Sequence, residues 1–114
     1  IALPITEIVS EKDFFDYEAK YQGKAKEITP ANISEEIKKI INKISKDLYQ
    51  KLNLKGIVRI DFIIVNDKPH LLEINTVPGL TEESIIPKQI SAANISTKEL
   101  FESMLLLALN EKKR

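Results

Sequence analysis

Four residues in the stretch RIDFIIVNDKPHLLEINTVPG, residues 59–79, are of types that do chemistry: Arg59, Asp61, Glu73 and Asn75. The stretch reads as two apolar strands joined by a tight turn. Side chains alternate along a strand, so Val58, Ile60, Phe62 and Ile64 share one face and Arg59 and Asp61 share the other. On the returning strand Leu72 and Ile74 are apolar partners, and Glu73 and Asn75 lie on the polar side. A three-residue loop at 66–68 would pair Val65 with Pro69. That register sets Asp61 opposite Glu73 and Arg59 opposite Asn75. Directly opposed side chains have Cβ atoms about 5 Å apart. Two carboxylates at that distance repel by ~3 kcal/mol at an effective dielectric constant of ~20. Folding alone would avoid such a pair, so a cation should offset it. Arg59 is one candidate and a divalent metal is the other. Two carboxylates with an amide oxygen form a hard oxygen set, suited to Mg²⁺ or Mn²⁺ rather than zinc.

A purely structural reading stands beside this one, because many antiparallel sheets carry one polar, solvated face. Asn75 weighs against it, since asparagine is a poor strand former. The continuation TVPGLTEES weighs further. It runs straight off the strand into a helix start, where Gly79 and the following amides could face a substrate anion.

The remaining elements must position these residues. Residues 2–9 are rich in β-formers and read as a strand. Residues 12–32, KDFFDYEAKYQGKAKEITPAN, mix aromatics and charges with Gly23 and Pro30 as breakers, and read as a long irregular loop. Loops longer than about 12–15 residues in compact domains are usually functional or disordered. Ser34 is a candidate N-cap, with Glu35 and Glu36 complementing the positive end of the helix dipole. Ile37, Ile40, Ile41, Ile44, Leu48 and Leu52 then recur at helical spacing. This predicts an amphipathic cover helix of about 19 residues, with Lys51 and Lys55 near its end and Gly56 as its stop. ESIIPKQISAA predicts a short helix with Pro87 in its first turns. STKELFESMLLLALNE begins with a capping box of Ser96 and Glu99. Its predicted buried stripe is Leu100, Phe101, Met104, Leu105 and Ala108, with the Met and Phe as core rather than part of a cofactor site.

Composition narrows the function classes. The 114 residues suit one domain or part of one. A chain of this size can bury roughly 60–70% of its unfolded surface. The apolar fraction is 43%, and 17 basic residues balance 17 acidic ones. Zero net charge gives no electrostatic reason to expect nucleic acid or an anionic membrane as partner. Without cysteine there is no disulfide framework and no thiolate chemistry, which fits a reducing compartment. No apolar run approaches the ~20 residues of a membrane helix. The opening IALPITEIV lacks an initiator methionine and the basic region of a signal peptide. It reads as a strand from the interior of a longer protein, so the chain is expected to be a C-terminal fragment.

At this point the motifs resemble a known family. GIVRIDFIIV followed by LLEINTVPGLTEESIIP resembles the C-terminal part of D-alanine–D-alanine ligases, which are ATP-grasp enzymes. FFDYEAKY, the following TPA and the opening ALPITEI resemble the same family. The resemblance runs from residue 2 to about residue 93, and the final helix also fits. R-x-D alone is a weak signal. D-Y-E-A-K-Y, R-x-D-F and E-x-N-T-x-P-G-x-T in this order and spacing are highly specific.

The resemblance implies an α+β fold, the C-terminal part of an ATP-grasp domain, with a mainly antiparallel sheet covered by helices. It implies one subdomain over residues 1–114, with a mobile loop at 12–32, a metal-binding hairpin at 57–75, and a substrate loop and short helix at 76–92. Asp61, Glu73 and Asn75 match metal ligands for two Mg²⁺ or Mn²⁺ ions, Glu73 bridging them. Arg59 matches the arginine that meets the transferred phosphoryl group. Gly79, through its amide, and Ser84 match positions at the D-alanine site. Lys20 and Tyr21 match the loop that closes over the ATP phosphates. Tyr21 also fits dipeptide-forming rather than depsipeptide-forming enzymes. His70 matches no role and reads as a surface or strand-end histidine.

The activity implied is ATP-dependent joining of two D-alanines through an acyl phosphate, for peptidoglycan precursor synthesis in the cytoplasm. The parent protein is compatible with a homodimer formed through its helices. The resemblance leaves out the substrate domain and most of the nucleotide-binding lobe, so the isolated chain is expected to be inert. Two rivals remain at this level. Another ATP-grasp carboxylate–amine ligase would share the metal triad, although AKY and PGLTEES argue against it. A non-catalytic binding or oligomerisation module would show no metal dependence.

Overall fold

The computed structural model describes residues 2–9 and 26–112, the side chains of the last two excepted. Among the described residues four short strands and three helices form an α+β architecture. They are β1 (Glu7–Val9), β2 (Lys26–Ile28), α1 (Glu35–Lys51), β3 (Arg59–Val65), β4 (Lys68–Asn75), α2 (Ile85–Ala92) and α3 (Thr97–Lys112).

β1 and β2 pair antiparallel, Glu7 with Ile28 and Val9 with Lys26. The strand expected over 2–9 is therefore confined to its last three residues. Lys26–Ile28, expected within an irregular loop, is a strand, because the backbone of β1 gives it a partner. Contacts beyond the ladder extend this ribbon. The Ala31 amide donates to Ile5 O at 2.7 Å, and the hydroxyls of Thr6 and Thr29 meet at 2.5 Å. The Thr29–Pro30 peptide is cis. Residues 12–25 of the expected loop, including Lys20 and Tyr21, lie outside the described residues.

Ser34 caps α1 as its sequence position requires, accepting the Ile37 amide at 3.2 Å. The helix ends earlier than Gly56. Asn53 takes a left-handed φ of 53°, its amide reaches Gln50 O at 3.1 Å, and the Leu54 amide reaches Tyr49 O at 2.9 Å. This is a Schellman ending in which asparagine does the work usually given to glycine. α2 ends the same way, with Asn94 at φ 59° and the Ile95 amide on Ile90 O at 2.9 Å. Gly56, at φ 67°, instead turns the connection into β3, where its carbonyl accepts the Tyr49 hydroxyl at 2.9 Å.

β3 and β4 form the hairpin, with a turn one residue shorter than expected. Val65 pairs with Lys68, leaving Asn66 and Asp67 at φ 50° and 60° as a two-residue turn. Positive φ at both central residues is the conformation that matches strand twist in tight hairpins. A bulge between Asp61 and Phe62 then inserts one extra residue in β4, so Phe62 faces Leu71, not Leu72. The shorter turn and the bulge cancel. Below the bulge the register is the expected one, Asp61 with Glu73 and Arg59 with Asn75.

α1 packs on β4, and α2 packs on α3. Among the described residues the buried hydrophobic core side chains are Ile41, Ile86 and Ile90. The stripe expected on α3 is only partly covered. Leu100 and Met104 are half-buried, whereas Phe101, Leu105 and Ala108 are exposed, Leu105 by 64%. The helical spacing forms the face, and α2 and the Gly56 turn lie against part of it.

Candidate active site

Strand pleating places Arg59 and Asp61 two residues apart on one face, and the ladder places Glu73 beside them. Arg59 forks onto Asp61, with Nε to Oδ1 at 2.9 Å and Nη2 to Oδ2 at 3.1 Å. The same Nη2 stands 3.9 Å from Glu73 Oε1. Arg59 is thus a cation that offsets the carboxylate pair. The side chains of Arg59 and Asp61 are 23% and 28% exposed, and Glu73 is 48% exposed. A ligand could therefore reach both carboxylates from solvent.

Asn75, at the end of β4, uses Oδ1 to accept the Val77 amide at 3.1 Å. This bond orients the amide group at the point where the chain leaves the sheet. A carbonyl oxygen has two lone pairs, so one remains for a cation. Among the described residues no three His, Cys, Asp or Glu side chains cluster within reach of one ion. The donor set is instead two carboxylates and one amide oxygen, the composition that suits Mg²⁺ or Mn²⁺ completed by water or phosphate oxygens. Residues of these types fit a divalent cation.

The loop after β4 brings Gly79 and Ser84 together. A Cβ on Gly79 would stand 2.8 Å from Ser84 Oγ, so the two positions are in contact only because Gly79 has none. Pro78 beside it is buried. The Ser84 amide donates to Thr81 O at 2.8 Å, and the Ser84 and Thr81 hydroxyls lie 2.8 Å apart. Thr81 closes the E-x-N-T-x-P-G-x-T motif, but the sequence assigns it no role of its own. His70 is exposed near the tip of the hairpin, as its sequence context indicates.

A second contact absent from the sequence reading ties α2 to β2, where Lys88 forms an ion pair with Glu27. An open groove of about 450 Å³ beside it is lined by Glu27, Thr29, Glu82, Pro87, Lys88 and Ser91. The β1–β2 ribbon is thereby fastened to the helix that follows the Gly79–Ser84 loop.

The sequence of this site matches the family described as D-ala D-ala ligase C-terminus over residues 1–106. The chain belongs to that family. It is 55% identical to a D-alanine–D-alanine ligase of Flavobacterium johnsoniae over 107 residues, which is 94% of this chain and 33% of the relative. It is 51% identical to that of Christiangramia forsetii over 112 residues, 98% of this chain and 34% of the relative. A solved D-alanine–D-alanine ligase from Bacillus anthracis, complexed with ATP, superimposes with a TM-score of 0.79 at 29% identity. That match covers 97% of this chain and 35% of the other. This D-ala D-ala ligase C-terminus chain spans about a third of the length of the relatives it matches. Its α+β architecture is that of the C-terminal part of an ATP-grasp ligase.

Proposed function

We propose that the chain serves as the C-terminal catalytic part of an ATP-dependent, ADP-forming D-alanine–D-alanine ligase that makes a peptidoglycan precursor. The observation that carries this reading is the register of the hairpin, which opposes Asp61 to Glu73 under the Arg59 fork in a chain of this family. ATP would transfer its γ-phosphoryl group to the carboxylate of one D-alanine, leaving ADP and an acyl phosphate. The amine of a second D-alanine would attack the acyl carbon, lose a proton and expel inorganic phosphate.

The candidate site residues would each have a part in that reaction. Asp61, Glu73 and Asn75 would hold two Mg²⁺ or Mn²⁺ ions, which supply positive charge beside the ATP phosphates. Arg59 would leave Asp61 to bind the transferring phosphoryl oxygens, whose charge it stabilises. The Gly79 amide and the Ser84 hydroxyl would bind D-alanine. Lys20 would meet the phosphates, and Tyr21 would cover the site against water that would hydrolyse the acyl phosphate.

In this reading residues 1–114 are one subdomain: the segment with Lys20 and Tyr21 covers the phosphates, 57–75 binds cations and 76–92 holds substrate. Catalysis then requires the remainder of a full-length ligase, acting in the cytoplasm as a homodimer. Among the described residues no helix is long and apolar enough to cross a membrane.

The test is phosphate release by the full-length protein with ATP and Mg²⁺, with and without D-alanine, for the wild type and Glu73→Gln. Release that requires D-alanine and falls at least about 100-fold in the variant is the expected result, the scale on which loss of one charge-stabilising group acts. Release driven by a different amino acid would assign the chain to a sister ligase. No release from either protein would remove the catalytic reading.

A further inference from the structure

We propose that Thr81 and Pro87 are positioning residues that free the Ser84 hydroxyl from its helix and aim it at the D-alanine site. The inference rests on the reading of Ser84 as a substrate contact and adds how that contact is built.

Among the described residues three helices begin after a serine. At α1, Ser34 Oγ accepts the amide of Ile37, three residues on, at 3.2 Å. At α3, Ser96 Oγ accepts the amide of Glu99, again three residues on, at 3.1 Å. Ser84 occupies the same place before α2, with the extended backbone of a cap at φ −77° and ψ 164°. Yet its side chain makes no capping hydrogen bond. The residue three positions on is Pro87, which has no N–H to offer. The sequence has removed the donor that captures the other two serines.

A freed hydroxyl still needs a direction, and Thr81 supplies it. The Thr81 hydroxyl lies 2.8 Å from Ser84 Oγ, and the Thr81 carbonyl accepts the Ser84 amide at 2.8 Å. Two bonds to one residue fix both the backbone and the rotamer of Ser84. Each hydroxyl offers one proton and two lone pairs. The shared bond consumes one proton, so the pair keeps a second for a carboxylate ligand. Gly79 completes the arrangement, since a Cβ there would fall 2.8 Å from Ser84 Oγ. An amino acid held by the Gly79 amide would meet a hydroxyl already oriented, without first breaking a helix cap.

The experiment uses the full-length protein and D-alanine-dependent phosphate release, with KM and kcat resolved for D-alanine and for ATP. Thr81→Val keeps the shape and removes the hydroxyl, and Thr81→Ser restores it. Pro87→Ala returns an amide to the capping position. Thr81→Val is expected to raise KM for D-alanine about 5- to 10-fold, the range of one hydrogen bond. KM for ATP stays unchanged, and Thr81→Ser recovers the wild-type value. Pro87→Ala raises the same KM while raising the thermal midpoint, because Ser84 returns to its helix. In a Ser84→Ala background Thr81→Val adds nothing further, since Thr81 acts through Ser84. Wild-type KM in Thr81→Val, or additive losses in the double variant, overturns the inference while leaving the ligase reading intact. A wild-type protein with no D-alanine-dependent release instead overturns the ligase reading itself.

Discussion

Replacing Arg59 by Met separates its two roles, because they change in opposite directions. In the hairpin Arg59 bonds to both oxygens of Asp61, at 2.9 and 3.1 Å. A cation on the remaining lone pairs of those oxygens would sit beside the guanidinium, so the two positive charges compete for Asp61. Hydrogen bonds between charged groups contribute about 1.5–3 kcal/mol each when protected. Partial exposure of both side chains and the competition of water reduce the fork as a whole to about 1–2 kcal/mol. Removing it should strengthen Mn²⁺ binding in the absence of nucleotide about 5- to 30-fold, at 1.4 kcal/mol per tenfold.

The same substitution leaves Asp61 facing Glu73 with no guanidinium nearby. At about 5 Å the repulsion is ~1–3 kcal/mol for dielectric constants between ~80 and ~20, the lower end applying to exposed groups. The thermal midpoint should therefore fall without metal and recover when Mn²⁺ is added. D-alanine-dependent turnover should fall about 100-fold, since the phosphoryl charge loses its partner. Electron paramagnetic resonance of free Mn²⁺, titrated against the full-length wild type and Arg59→Met, reads the first effect directly. Unchanged or weaker Mn²⁺ binding in the variant would refute the competition between guanidinium and metal for Asp61.

Two further outcomes follow from local geometry. Gly79→Ala should displace Ser84 Oγ, which lies 2.8 Å from the new Cβ, and a short side chain can rotate away at little cost. Its thermal midpoint should stay within a degree or two while KM for D-alanine rises about tenfold, the loss of one or two hydrogen bonds; a large loss of stability with unchanged KM would contradict the contact. Asp67→Gly should stabilise the hairpin by about 0.5 kcal/mol, because Asp67 sits at φ 60° in a turn whose second position favours glycine. Denaturant midpoints of the two proteins measure it, and a destabilised variant would show that the Asp67 side chain has a role beyond the turn.

The hairpin shows how a correct pairing can be reached through incorrect details. Alternation alone separates Arg59, Asp61, Glu73 and Asn75 from the apolar face, and this periodicity survives in the structure. The turn length did not follow from it. Both Asn66 and Asp67 tolerate positive φ, so two residues suffice where three were expected. The bulge that compensates has no composition signal, because Leu71 and Leu72 are chemically alike and only the ladder decides which one faces Phe62. Helix endings were obscured for a similar reason. Asn53 and Asn94 end their helices in left-handed conformations, whereas Gly56 drew attention by residue type.

What the sequence by itself determined is local. Alternation sorted the hairpin's two faces, serines with a free amide three residues on capped α1 and α3, and the ordered motifs around residues 59–84 marked the family. These depend on neighbours along the chain, whose distances covalent geometry holds nearly constant. Tertiary structure alone decided that Arg59, rather than only a metal, offsets the opposed carboxylates, and that Lys88 fastens α2 to Glu27 across 61 residues. It also decided which part of the apolar stripe on α3 is covered. Each of those outcomes depends on which surface meets which, and no periodicity along one element specifies its partner.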